Sequence, residues 1–229
     1  MRGRIEKVLD AAKAKGLRAG ENPARWRGHL DHLLPKRQKL QRGHHPAMPW
    51  SEVPAFVARL KESRSIGALA LEFVILTACR SGEVLRSVRN GEIMGACWAE
   101  VDRTTKVWTI PAVRMKAGLE HRVPLSDRAL AILCEAEKVR RGDFVFPGQR
   151  GDQPLSEMAL ELILRRMHVK PYTVHGFRSS FRDWAGECTS FPREIAEAAL
   201  AHAVGDKVER AYRRGDALER RPRADGGVG

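Results

Sequence analysis

Near its C-terminal end the chain carries His175-Gly-Phe-Arg178, then Ala201-His202, then Tyr212 ten residues further on. A planar guanidinium grips phosphate oxygens two at a time, and a phenol can attack phosphorus to form a covalent ester. One arginine, two imidazoles and a phenol in a basic chain point to phosphodiester chemistry. On a helix, His175 and Arg178 lie three apart and share a face. Phe177, Phe181 and Trp184 fall on another face, which is expected to bury in the core and hold the polar pair toward substrate. His202 is expected at a helix C-terminus, where the dipole favours a protonated imidazole able to donate to a phosphate oxygen. The Tyr212 phenol ordinarily ionises near pH ~10, so attack at neutral pH needs a proton acceptor and nearby positive charge.

Two upstream features join this set: Arg80-Ser-Gly-Glu83, and Lys116 in a turn between two β-rich runs. In this order the residues resemble the catalytic domain of the tyrosine recombinases (phage-type integrases), over residues 46–216 and more loosely from residue 4. The resemblance implies an α+β fold, mainly helical, with a small antiparallel sheet. It implies a catalytic set of Arg80, Lys116, His175, Arg178, His202 and Tyr212. Tyr212 would attack DNA to give a 3′-phosphotyrosine, and Lys116 would protonate the leaving 5′ oxygen, with Arg114 or Arg122 as weaker stand-ins. Glu83 would orient Arg80. The partner implied is double-stranded DNA, bound by a homo-oligomer that is a tetramer in the family's synapse. No cofactor is expected. No acidic metal cluster is apparent, and the Arg, Lys and His groups can neutralise the phosphorane themselves, so the expected chemistry is metal-free. Two other functions fit the residues: type IB topoisomerase-like nicking and religation, and a non-catalytic remnant that holds DNA by charge.

The bulk properties agree with a polyanionic partner. Across 229 residues, 41 Lys plus Arg against 28 Asp plus Glu leave a formal charge of +13, and phosphate contacts would make affinity fall steeply with salt. Cys79, Cys97, Cys134 and Cys188 have no metal-ligand spacing, which argues for reduced thiols rather than a disulfide framework or zinc site. His29-x-x-His32 with His44-His45 is a weak zinc pattern lacking cysteine partners. The longest apolar stretch, Ala68 to Cys79, is interrupted by Glu72 and too short for a bilayer. A cytoplasmic protein of bacterial or phage origin is expected.

The elements that must position these residues are partly legible. Ile5, Val8, Leu9 and Ala12 predict an amphipathic helix stopped by Gly16, and Arg25–Leu34 predicts another ended by Pro35. Residues 1–35 are assigned to a remnant of the family's helical core-binding domain, 36–48 to a basic linker and 49–229 to the catalytic domain. Within the last, helices are expected from Ser51 to Leu60, across Ala68–Ala78, after Ser126-Asp127, after Ser156-Glu157, over His175–Glu187 and over Pro192–Ala201. Lys106–Pro111 and His121–Leu125 are expected to form a hairpin.

Two departures from the family pattern stand out. Arg80-Ser-Gly-Glu-Val-Leu is echoed nine residues later by Arg89-Asn-Gly-Glu-Ile-Met. Nine residues of helix rotate by about 900° and reverse the downstream face, so the extra residues must bulge, most easily at Asn90-Gly91. Arg80 is favoured as phosphate ligand because a buried helix precedes it, with Arg89 as second choice. Beyond Asp216, Pro222 and the glycines preclude the further helix usual in the family, and a chain truncated at both ends is expected.

Overall fold

The structure is a computed structural model that describes residues 1–34, 45–85, 87–89, 92–149 and 153–202. The chain divides into two compact units, Met1–Gly43 and His44–Gly229.

In the first unit, α1 (Arg2–Ala14) buries no residue, and Ile5 and Val8 stay exposed. A polar clasp folds the following loop back on it. Buried Asn22 donates through Nδ2 to Glu6 O and Asp10 Oδ1, while Glu6 Oε1 accepts from the Trp26 amide. The helix expected over Arg25–Leu34 is broken. Arg27 is extended and Gly28 left-handed at φ 71°, leaving only the single turn α2 (Asp31–Leu33). A glycine in mid-pattern gives the backbone that exit at no steric cost.

The second unit is built around α4 (Ile66–Thr77), which Ser65 caps through its hydroxyl. Residues Gly67 to Val74 are all buried, as the dense apolar run demands, and α3 (Val53–Lys61), α6 (Asp127–Glu137) and α7 (Glu157–Arg166) pack around it. Even Glu72 is buried; its carboxylate takes Arg128 Nε at 2.8 Å and Nη2 at 2.7 Å, which ties α4 to α6. Phe73, Trp108 and Phe146 form the aromatic centre of the core.

Two small antiparallel sheets complete the unit, and with the helices they make the fold α+β and mainly helical. Strands β3 (Val101–Asp102), β4 (Val107–Ile110) and β5 (His121–Pro124) form one, with Trp108 opposite Val123. The other sheet takes its second strand and the last residue of its first from the second copy of the duplicated hexapeptide. After the short helix α5 (Ser81–Val84), β1 (Ser87–Arg89) pairs with β2 (Glu92–Met94), Val88 facing Ile93. Residues 87–89 and 92–94 therefore pair as strands rather than continue as helix; Asn90-Gly91, where the bulge is expected, lies outside the described residues. Helices α8 (Gly176–Cys188) and α9 (Arg193–Ala199) close the described chain. Among the described residues no helix is long and apolar enough to cross a membrane.

Candidate active site

Four of the residues singled out by sequence meet where α4, α8 and α9 converge. Helix α4 ends at Ala78, left-handed at φ 50°, and α9 ends similarly, with Ala201 at φ 49°. Such ends leave carbonyls without helical partners, at the negative pole of the helix dipole. Arg178 fills both. Its Nη1 donates to Ala78 O, and its Nη2 donates to Leu200 O at 2.6 Å and contacts His202 Nε2 at 3.1 Å. The guanidinium is thus buried, 5% exposed, and locked in orientation. Of its five N–H groups, Nε–H and one on Nη1 have no partner among the described residues.

Arg80 follows two residues after Ala78 and caps α5. One carboxylate fixes it twice: Glu83 Oε2 accepts its backbone N–H at 2.8 Å, and Oε1 accepts its Nη1 at 2.7 Å. Glu83 is itself buried. Its backbone carbonyl accepts from Arg114 Nη1 at 3.0 Å, and Arg114 Nη2 reaches Glu100 Oε2 at 2.5 Å. Glu100 also accepts from the Cys97 amide and Trp108 Nε1. Arg114, treated from sequence as a stand-in for Lys116, is thereby a buried brace between the β4–β5 turn and the Arg80 turn. Its partners lie 14 and 31 residues away in sequence, so no local spacing marked it.

His175 caps α8 at its N-terminal end and is more exposed than Arg178. The pair share a helical face, yet Arg178 turns into the gap between two helix ends while His175 stays at the rim. Burial, then the charges of His45, Arg178, Arg80 and His202, hold the His175 imidazole below its ordinary pKa. Burial and the Arg80 charge likewise lower Arg178, against opposing pulls from Glu83 and Glu197 among others. These mutual effects place five basic groups in one electrostatic cluster, with the carboxylates of Glu83 and Glu197 beside it.

The His45 ring meets His175 edge-on, with centroids 4.7 Å apart. It begins a strap, residues 45–50, bound along α8. Pro46 O accepts from the Thr173 amide, Met48 O from the Ser180 hydroxyl, and Trp50 Nε1 donates to Glu187. Gly176 permits this approach, since a Cβ there would lie 2.2 Å from Pro46 O. Of the aromatic face expected on α8, only Phe177 enters the core, stacked on Phe56; Phe181 and Trp184 pack on one another at the margin. The buried positions are 176, 177, 178, 180 and 185, a face that takes in Arg178 and leaves Phe181 and Trp184 at its margin.

Lys116 is exposed in the β4–β5 turn and makes no hydrogen bond or ion pair among the described residues. Tyr212 lies outside the described residues, as does the side chain of Arg89. No group of three or more His, Cys, Asp or Glu among the described residues is placed to hold a metal ion. Two surface grooves, about 930 and 550 Å³, are lined by residues such as Arg64 and Lys138, and Cys97 and Phe144, respectively. They share no residue with the basic cluster.

Comparison with known proteins shows the lineage of this arrangement. The family model described as the phage integrase family matches residues 48–218. The chain belongs to the phage integrase family. It is 39% identical over 142 residues to prophage integrase IntA of Escherichia coli strain K12, covering 61% of this chain and 34% of that protein. With prophage integrase IntZ of the same strain it shares 36% identity over 177 residues, covering 76% and 41%. The chain therefore spans well under half the length of these curated relatives. Among solved structures, a lambda integrase dimer bound to a COC′ core site matches with TM-score 0.56 at 18% identity, covering 93% of this chain and 72% of that one. A lambda integrase tetramer bound to a Holliday junction matches with TM-score 0.56 at 17% identity, covering 91% and 60%. At that identity the likeness is one of fold.

Proposed function

We propose that this integrase-family chain carries the catalytic machinery of a site-specific DNA recombinase, cutting and rejoining double-stranded DNA through a 3′-phosphotyrosine on Tyr212. The observation that carries this reading is the held guanidinium of Arg178. It is fixed by two helix-end carbonyls and stands beside Arg80, with His175 and His202 at the rim. Donors fixed before the phosphate arrives cost no reorganisation as charge builds on its oxygens. Arg80 and Arg178 grip the phosphate under this reading. Lys116, on its exposed turn, supplies the proton to the leaving 5′ oxygen.

The fold shared with lambda integrase on a COC′ core site and on a Holliday junction supports DNA as partner and assembly of several copies on it. Residues 1–35 would then belong to the helical domain that helps clamp DNA, 36–48 to a basic linker and 49–229 to the catalytic domain. A cytoplasmic location follows from the substrate.

Strand exchange tests the reading. Two duplexes bearing the attachment sequence that flanks the gene should yield recombinants, and Tyr212→Phe should abolish them. Relaxation of supercoiled DNA without exchange would replace this reading with topoisomerase-like religation. Salt-sensitive binding with neither product would reduce the chain to a DNA-holding protein.

A further inference from the structure

Arg114 is a buried cation whose partners join two separate parts of the site. Its side chain is 4% exposed, and its Nε has no partner among the described residues. Burying a guanidinium with an unmet N–H costs stability, and an apolar side chain of similar size would fill the space at less cost. Both terminal nitrogens are nevertheless committed. Nη2 donates to Glu100 Oε2 at 2.5 Å. The same oxygen accepts from Trp108 Nε1 and the Cys97 amide, both at 3.1 Å, so donors from three places in the chain fix it. Nη1 donates to Glu83 O at 3.0 Å, in the last turn of α5, where carbonyls lack helical partners.

These contacts lead in two directions. Toward α5, Glu83 holds Arg80 through both carboxylate oxygens, and the Ala96 amide donates to Val84 O. The Arg80 turn is thus held by bonds that do not involve Arg114. In the β4–β5 turn, by contrast, Arg114 is a polar anchor. Its amide closes a turn on Pro111 O, Met115 beside it is buried, and Lys116 comes next, exposed. Two residues of chain span at most about 7 Å, so Lys116 cannot stray far while the Arg114 fork is in place.

We propose that Arg114 is a positioning residue whose fork on Glu100 and Glu83 sets where the β4–β5 turn presents Lys116, bringing the ammonium to the phosphate that Arg80 and Arg178 grip. This rests on the recombinase reading above, in which Lys116 protonates the leaving 5′ oxygen. Arg114 is not itself a substitute for that donor. A buried guanidinium with both ends committed does not reach a phosphate, and it does not give up its proton. Positioning of this kind acts on one step. With the fork gone, Arg80 and Arg178 still hold the phosphate, and what is lost is a placed proton for the leaving oxygen. A displacement of about 1 Å at a reacting group can cost about a hundredfold.

A sulfur leaving group separates this role from folding. In a nicked duplex whose scissile 5′-bridging oxygen is replaced by sulfur, the departing atom leaves as a thiolate and needs no proton. The variant is Arg114→Met combined with Glu100→Gln, which removes both charges together and leaves neither buried alone. On the ordinary duplex its single-turnover cleavage should fall about tenfold to a hundredfold, and on the sulfur duplex it should come within about threefold of the unsubstituted protein. Lys116→Ala should show the same pattern more steeply. Arg114→Lys keeps a charge beside Glu100 without the fork, and should show a smaller loss with the same sulfur rescue. It carries the test where the double variant does not fold. Equal losses on both duplexes in a folded Arg114 variant, or no loss on either, would overturn the proposal alone. An unsubstituted protein that binds both duplexes and cleaves neither, or a Lys116→Ala defect that sulfur does not rescue, would overturn the recombinase reading as stated and the positioning role with it.

Discussion

At the scale of single residues, the site depends on groups that their own protein has already oriented. Arg178 commits donors to Ala78 O, Leu200 O and His202, and a lysine cannot reproduce that planar fork. Arg178→Lys should therefore slow covalent DNA capture by at least about a hundredfold. Binding at low salt should persist, because the charge remains; a gel-shift assay beside single-turnover cleavage checks both. His175 gives a pH prediction. Its pKa is lowered in the folded state from the ordinary 6.5, chiefly by burial, so the unfolded chain binds that proton more readily. Its contribution is fully present above the unfolded value and lost as pH falls from there through the lower folded value. Thermal unfolding between about pH 7.5 and about pH 5.5 should show a smaller loss of Tm in His175→Asn than in the unsubstituted protein.

At the scale of elements, the strap at residues 45–50 and α8 act as one piece. Gly176 is where they touch, and an added methyl would meet backbone at 2.2 and 2.9 Å, which cannot swing away as a side chain would. Gly176→Ala should destabilise the domain by about 2–3 kcal/mol by displacing the strap and its His45 contact. Gly186, on the same helix with open space around it, should gain about 0.5–1 kcal/mol on substitution by Ala. Urea unfolding of the two variants separates a packing constraint from helix propensity. Much of this level was legible in sequence, because apolar density marks α4 and β-branched and aromatic residues mark the runs of β4 and β5. The meeting of Arg80, His175, Arg178 and His202 was also legible as an ordered set. Arg114, Glu197 and His45 were not. Arg114 depends on partners distant in the chain, and Glu197 depends on a left-handed alanine that no composition signals. His45 depends on a strap whose course only packing reveals. The duplicated hexapeptide was expected only to bulge around Asn90-Gly91, and the strand pairing of residues 87–89 with 92–94 was not legible, because the same residue types support a helical turn beside α4.

At the scale of the molecule, a formal charge of +13 favours a polyanionic partner. If DNA is held mainly through phosphates, its affinity should fall by about 10³-fold or more between roughly 50 and 200 mM salt. A titration by fluorescence anisotropy reads that slope. Charge alone gives binding, however, and the central claim is chemistry. The most direct measurement is capture of DNA on the protein itself. A nicked suicide duplex carrying the flanking attachment sequence is incubated with the full chain, and SDS-resistant adducts are digested and mapped by mass spectrometry. The account predicts a nucleotide joined through its 3′ phosphate to the peptide containing Tyr212, absent in Tyr212→Phe. DNA bound in a salt-dependent manner with no such adduct, or an adduct that survives in Tyr212→Phe, would contradict it.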